Sequence, residues 1–76
     1  MPIAFVLVNV EAGSEREVVR ELQAIEHIRE VYLVYGVYDI LVKVEAESLE
    51  KLKETITYKI RRIPKIRSTQ TQIISD

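Results

Sequence analysis

Val8-Asn9-Val10-Glu11-Ala12 recurs 34 residues later as Val42-Lys43-Val44-Glu45-Ala46, and the same offset sets Ser14 on Ser48, Val18 on Leu52 and Leu22 on Ile56. The chain therefore reads as two copies of one unit. Each copy opens with a β-branched run of strand length, Ile3 to Val10 or Ile40 to Val44, whose side chains suit a pleated, half-buried surface. A serine then starts each helix. Ser14 with Glu17 has the spacing of a capping box, in which hydroxyl and carboxylate satisfy backbone donors left over at a helix start. Val18, Val19, Leu22 and Ile25 follow at helical spacing. Ser48 opens the second helix, whose stripe Leu49, Leu52, Ile56, Ile60 and Ile63 should stop before Pro64, because proline disfavours helical geometry in the residue ahead of it. Each unit finishes in a strand, Glu30 to Tyr35 and Ile66 to Ile74, which gives the order βαββαβ.

Two split βαβ units joined by a hairpin predict an α+β, ferredoxin-like fold, with a four-stranded antiparallel sheet and two helices on one face. Val6, Val8 and Val10 share a face with Ile40, Val42 and Val44, as suits packing under helices. Phe5, Leu7 and Leu41 fall on the other face. Large apolar side chains on an uncovered sheet mark an interaction surface, and a second copy of the same sheet is the simplest partner, so a dimer is expected there.

The 76 residues allow one domain, 1–76, and not two. A chain this small buries only about 60% of its unfolded surface, and without cysteine it has no disulfide to supplement its core, so subunit contacts are again expected. No run approaches the ~18 to 20 apolar residues that span a membrane. The start, Met1-Pro2-Ile3-Ala4-Phe5, has no basic n-region or apolar export signal, and a cytoplasmic protein is the expectation. Abundant Glu, Lys, Arg, Ile and Val, with Asn9 the only asparagine, lean towards the composition of a thermophile. The formal net charge is −1, yet residues 1 to 50 hold ten of the twelve acids and residues 51 to 76 seven of the eleven bases. Lys51, Lys53, Lys59, Arg61, Arg62, Lys65 and Arg67 have only Tyr58 interleaved among them. They read as a solvated helix face and its exit loop, and no direct DNA binding is expected.

Catalytic and metal signals are nearly absent. His27 is the only histidine and has no carboxylates at a metal-ligand spacing. Ser14 and Ser48 are taken up as caps, and a base with its orienting group is missing, so no enzyme, metal or cofactor is expected. Gly13 turns the chain into the first helix. The informative segment is Val34-Tyr35-Gly36-Val37-Tyr38-Asp39-Ile40, which gathers a glycine, two tyrosines and a carboxylate at one turn. It reads either as an ordinary hairpin or as the mouth of a polar pocket, where glycine admits close approach to backbone amides and Asp39 accepts an ammonium group. Ser68-Thr69-Gln70-Thr71-Gln72 is polar on both faces of a strand. It is either an edge strand with hydroxyl ladders or a strand that points part of its polar set into a cavity or interface.

The run Val34 to Val44, followed by a helix, Ile63-Pro64-Lys65-Ile66 and then Thr69-x-Thr71, resembles the effector-binding domain of the leucine-responsive regulatory protein and asparagine-synthesis regulator family, over nearly the whole chain. Full-length members carry an N-terminal helix-turn-helix domain, whereas strand 1 here starts at Ile3, so the chain resembles the stand-alone versions. The resemblance implies a sheet-to-sheet homodimer, rings of about four dimers (an octamer), and a free amino-acid effector held where dimers meet. It places the ligand loop at Gly36, Val37, Tyr38 and Asp39, with hydroxyl contacts from Thr69 and Thr71. Asp39 is then assigned to the ligand ammonium, backbone amides near Gly36 and a threonine hydroxyl to its carboxylate, and Tyr38 or a neighbouring subunit to its side chain. Co-assembly with full-length regulators is a further implication.

Three other readings share this topology. The allosteric amino-acid-binding domain of metabolic enzymes would place its ligand glycine in the loop after strand 1, where Gly13 sits. A small ferredoxin-like enzyme would resemble acylphosphatases or dimeric ferredoxin-like oxygenases, and the former would need an arginine and a glycine-rich loop there, whereas Val10-Glu11-Ala12-Gly13-Ser14-Glu15 has no arginine before Arg16. An oligomerisation adaptor would bind no small ligand.

Overall fold

The computed structural model describes residues 1–74. β1 (Ile3–Val10), α1 (Glu15–Gln23), β2 (Ile28–Leu33), β3 (Ile40–Glu45), α2 (Leu49–Glu54) and β4 (Ile66–Ile74) follow in the predicted order. The strands form one sheet in the order β2-β3-β1-β4, with each neighbouring pair antiparallel. Strand β2 runs two residues earlier than its sequence reading, which leaves Val34 and Tyr35 in the turn.

Alternation sorts the sheet into two faces. Ala4, Val6, Val8 and Val10 of β1 and Ile40, Val42 and Val44 of β3 are buried. They form one cluster with Val18 and Leu22 of α1 and with Leu52, Ile56, Ile60 and Ile63 of the second helical region, so both helices cover the same face. This is the ferredoxin-like arrangement. Each fully buried side chain such as Leu22, Ile40 or Leu52 contributes on the order of 1.5–3 kcal/mol relative to exposure. Phe5, Leu7 and Leu41 lie on the other face and are half-buried, with Leu7 registered directly against Leu41. Tyr32, opposite Leu41, and Ile74, opposite Ile3, extend that apolar face across the sheet.

Two local expectations are corrected. Ser14 precedes α1 but makes no side-chain cap bond, and Glu17 pairs with Lys65 at 3.2 Å, so the Ser14–Glu17 capping box does not form. Glu17 is drawn outward by a cation that the repeat pattern does not reveal. Ser48, by contrast, accepts the Lys51 N–H at 3.2 Å.

The second helix is also not uniform. α2 passes at Thr55 into a π-helical segment, Thr55–Ile60, and Arg61 N–H reaches back five residues to the Ile56 carbonyl at 3.1 Å. The repeat accounts for this. Ser14 and Ser48 stand 34 residues apart, whereas His27 and Lys65, the two non-glycine residues with left-handed backbone among the described residues (φ 80° and 75°), stand 38 apart, each just ahead of a strand. The second unit thus carries four extra residues between its cap and its final strand, and the wider π turn accommodates part of them while Leu52, Ile56 and Ile60 stay buried. Thr55 Oγ1 donates to the Lys51 carbonyl at 3.0 Å where the helix changes pitch, a back-bond that loosens the regular α ladder.

Candidate ligand site

The turn between β2 and β3 is fixed by Asp39. Its carbonyl accepts the Val34 N–H at 2.9 Å, its own N–H donates to the Val8 carbonyl at 3.0 Å, and its Oδ2 accepts the Val10 N–H at 3.0 Å. One residue thereby ties the turn to the end of the central strand β1. The half-buried Asp39 retains acceptor capacity at Oδ1, since a carboxylate accepts through both oxygens. Gly36, at φ 158°, is nearly extended, with open space where a Cβ would stand. Gly36 and Val37 are exposed, Val37 at 84% and its neighbour Tyr35 fully, while Tyr38 is half-buried.

Asp39 stands between two cavities. The larger, about 390 Å³, is lined by Gly13, Glu15, Arg16, Leu33, Val34, Tyr35 and Asp39. It opens between the loop after β1 and the β2–β3 turn. Gly13 has φ 86°, the left-handed conformation that turns the chain into α1. The smaller, about 300 Å³, is lined by Asn9, Val10, Asp39, Arg67 and Ser68. There Asn9 Nδ2 donates to Ser68 Oγ at 3.3 Å.

Thr69 and Thr71 register opposite Val8 and Val6, so their side chains share the helix-covered face, while Ser68, Gln70 and Gln72 face the other way. The polar strand therefore points two of its three hydroxyls inward. Thr71 Oγ1 is buried without a hydrogen-bond partner among the described residues. Within one protomer, however, β1 separates the threonines from Asp39, and neither threonine lines the two cavities that Asp39 lines. Of the ligand-loop residues Gly36, Val37, Tyr38 and Asp39, only Asp39 lines these cavities, joined in the larger one by Val34 and Tyr35 of the same segment. Arg16, Glu15 and Leu33 were missed because each sits at an ordinary surface position of its own element, and only the tertiary fold sets them against Asp39.

His27 lines a separate polar cavity with Glu26, Lys51, Glu54, Thr55, Tyr58 and Lys59. No group of His, Cys, Asp or Glu side chains suited to a metal ion occurs among the described residues. Arg62 stacks over the Tyr58 ring, 5.4 Å from its centroid. No helix among the described residues is long and apolar enough to cross a membrane.

The model of the family described as Lrp/AsnC ligand binding domain matches residues 3–76. The solved structure of a protein designated FFRP-DM1 is similar at 47% identity, with a TM-score of 0.93 and coverage of 99% of this chain and 100% of that one. Escherichia coli AsnC is similar at 26% identity and a TM-score of 0.90, over 99% of this chain and 51% of that one. The HTH-type transcriptional regulator FL11 of Pyrococcus abyssi is 38% identical over 72 residues, 95% of this chain and 47% of its own length. The chain thus spans about half the length of the curated regulators it matches. With its βαββαβ order, one-sided helical cover and match over residues 3–76, the chain belongs to the Lrp/AsnC ligand binding domain family.

Proposed function

We propose that this domain is a cytoplasmic amino-acid effector-binding and oligomerisation module of a transcription-regulator family, and not an enzyme. The observation that carries the reading is the β2–β3 turn clamped by Asp39 at the mouth of a 390 Å³ cavity, within the usual volume range of small-ligand sites. A rigidly held carboxylate is suited to a charge-assisted bond from an α-ammonium group. Gly36, Val37 and Tyr38 form the exposed edge of the turn, available to a neighbouring subunit. Thr69 and Thr71 contribute from a neighbouring subunit rather than from the protomer that supplies Asp39.

Homodimerisation occurs through the open sheet face, centred on Phe5, Leu7 and Leu41, and dimers assemble further into a ring. An effector held at subunit contacts acts by its differential affinity for the assembled states, typically ~1 to 3 kcal/mol. Full-length regulators of the family are candidate partners for co-assembly. Association of this domain alone with DNA is weak and salt-sensitive, since Lys59, Arg61, Arg62 and Arg67 are set against a net charge of −1.

The test is a thermal-shift screen with each of the twenty amino acids, combined with sizing. A ligand that binds only the folded form raises the melting temperature. A rise with one or a few amino acids, accompanied by a change in assembly, supports the sensor; a flat screen with an intact oligomer supports the adaptor that binds nothing small.

A further inference from the structure

We propose that the cavity between the α1–β2 turn and the π-helical segment Thr55–Ile60 is a second ligand site, and that it takes a phosphorylated sugar, either free or as the sugar-phosphate part of a nucleotide. It shares no lining residue with the two cavities at Asp39, so it stands independently of the amino-acid reading.

The first observation is an asymmetry between two equivalent positions. His27 and Lys65 both hold left-handed backbone, which is strained for a residue with a Cβ, and each precedes the last strand of its unit. The fold explains Lys65, whose Nζ meets Glu17 Oε1 at 3.2 Å and whose carbonyl accepts the Glu11 N–H at 2.8 Å. The His27 carbonyl likewise accepts the Glu45 N–H at 2.9 Å. Its imidazole, however, has no hydrogen bond or ion pair among the described residues and lines a polar cavity of about 350 Å³. A strained backbone carrying a side chain that bonds to nothing in the protomer is accounted for by a bond made outside it.

The rest of the lining repeats the pattern. Glu26, Glu54, Lys51 and Lys59 line the same cavity, yet among the described residues the ion pairs are Arg29–Glu45 and Glu17–Lys65. Two charges of each sign are therefore held apart rather than cancelled. A bare anion is attracted by the lysines and repelled by the glutamates, and a neutral polyol leaves the ammonium groups without a counter-charge. A phosphorylated sugar serves both sets, with its phosphate on the ammonium groups and its hydroxyls donating to the carboxylates. The neutral imidazole, with one donor and one acceptor nitrogen, suits a further hydroxyl.

Tyr58 supplies the remaining contact. Arg62 stacks on its ring, 5.4 Å from the centroid, but does not line the cavity, so the part of the ring that the guanidinium leaves uncovered borders the ligand space. An aromatic surface there packs against a sugar or base ring. Glu26, His27 and Glu54 do not come together as a group suited to a metal ion, which leaves the organic ligand. The π turn, a feature frequent at functional sites, carries Thr55, Tyr58 and Lys59 into this lining.

The experiment is calorimetric titration at about 0.15 M salt with ribose 5-phosphate, adenosine 5′-monophosphate, ribose and inorganic phosphate. Wild type is expected to bind ribose 5-phosphate about tenfold or more tightly than either ribose or phosphate alone. Lys59→Gln and Lys51→Gln, both at exposed positions, are each expected to weaken it by about that factor. Arg20→Gln removes a cation that does not line this cavity and is expected to change nothing. Circular dichroism verifies that the variants remain folded. Tighter binding of the nucleotide than of ribose 5-phosphate, lost in Tyr58→Ala, assigns the site to nucleotides; equal binding of the two assigns it to free sugar phosphates. The proposal is overturned if neither binds folded wild type, if inorganic phosphate binds as well as ribose 5-phosphate, or if Arg20→Gln weakens binding as much as the lysine variants do.

Discussion

The side chain of Asp39 accepts the backbone N–H of Val10 at 3.0 Å, across 29 residues of sequence. Val10 is the last residue of β1, beside the register shift between β1 and β4, so this carboxylate serves a donor at the point where the ladder becomes irregular. Asp39 therefore has a structural duty in addition to any ligand it binds. Asp39→Ala leaves the part-buried Val10 N–H without this acceptor and should lower stability by about 1–3 kcal/mol. Asp39→Asn keeps an oxygen in place and should cost less. Urea unfolding of the two variants checks the order; equal stability of Asp39→Ala and wild type would mean the bond contributes nothing.

Leu7 and Leu41 face each other on the side of the sheet the helices do not reach. Leu7→Asp sets an unpaired charge in the middle of that apolar face, and desolvating it in an interface is costly. Light scattering should show a monomer or an unfolded chain. A native-like dimer with this substitution would remove the face from the interface.

The two serines that the repeat superposes should behave differently. Ser48 accepts the Lys51 N–H, so Ser48→Ala should cost about 1 kcal/mol. Ser14 makes no side-chain cap bond, and Ser14→Ala should be close to neutral despite its burial. Thermal unfolding of the pair decides this, and equal losses would indicate that Ser14 caps α1 after all.

That contrast also marks what could be read from the chain. Strand alternation at Val6, Val8, Ile40 and Val42, the Ser48 cap and the bounds of β4 were all legible, because hydrophobic period and capping chemistry are local. The π turn at Thr55–Ile60 was not. It follows from a four-residue difference between the two units that becomes visible only once His27 and Lys65 are seen to share a left-handed backbone. Asp39 was legible as a candidate from its turn, but its bond to Val10 and the company of Arg16 and Glu15 depend on tertiary packing. Ser68 to Gln72 was legible as polar on both faces, but which of its side chains turn inward, and the separation of Thr69 and Thr71 from Asp39 within the protomer, are set by register and by the strand order β3-β1-β4, which no local pattern encodes.

Tyr32 Oη donates to Glu30 Oε1 at 3.0 Å on the open face. That hydrogen bond first, and the carboxylate's charge second, hold the Tyr32 phenol above its ordinary range. Because the folded-state value lies above the unfolded one, the associated stabilisation is present below the unfolded phenol pKa and fades as pH rises through the folded value. Tyrosinate absorbance should show that the component removed by Tyr32→Phe titrates at a higher pH in wild type than in a Glu30→Gln background. No difference between the two backgrounds would dismiss the coupling.

Amino-acid sensing at the Asp39 turn is tested most directly by calorimetric titration of wild type and Asp39→Asn with the amino acid that gives the largest thermal shift, both proteins being sized beforehand. If Asp39 receives the ligand ammonium, the variant assembles normally and its affinity falls by about 1.5–3 kcal/mol, the scale of a hydrogen bond to a charged group. Unchanged affinity in a correctly assembled Asp39→Asn protein, or no heat with any amino acid in wild type, would contradict it.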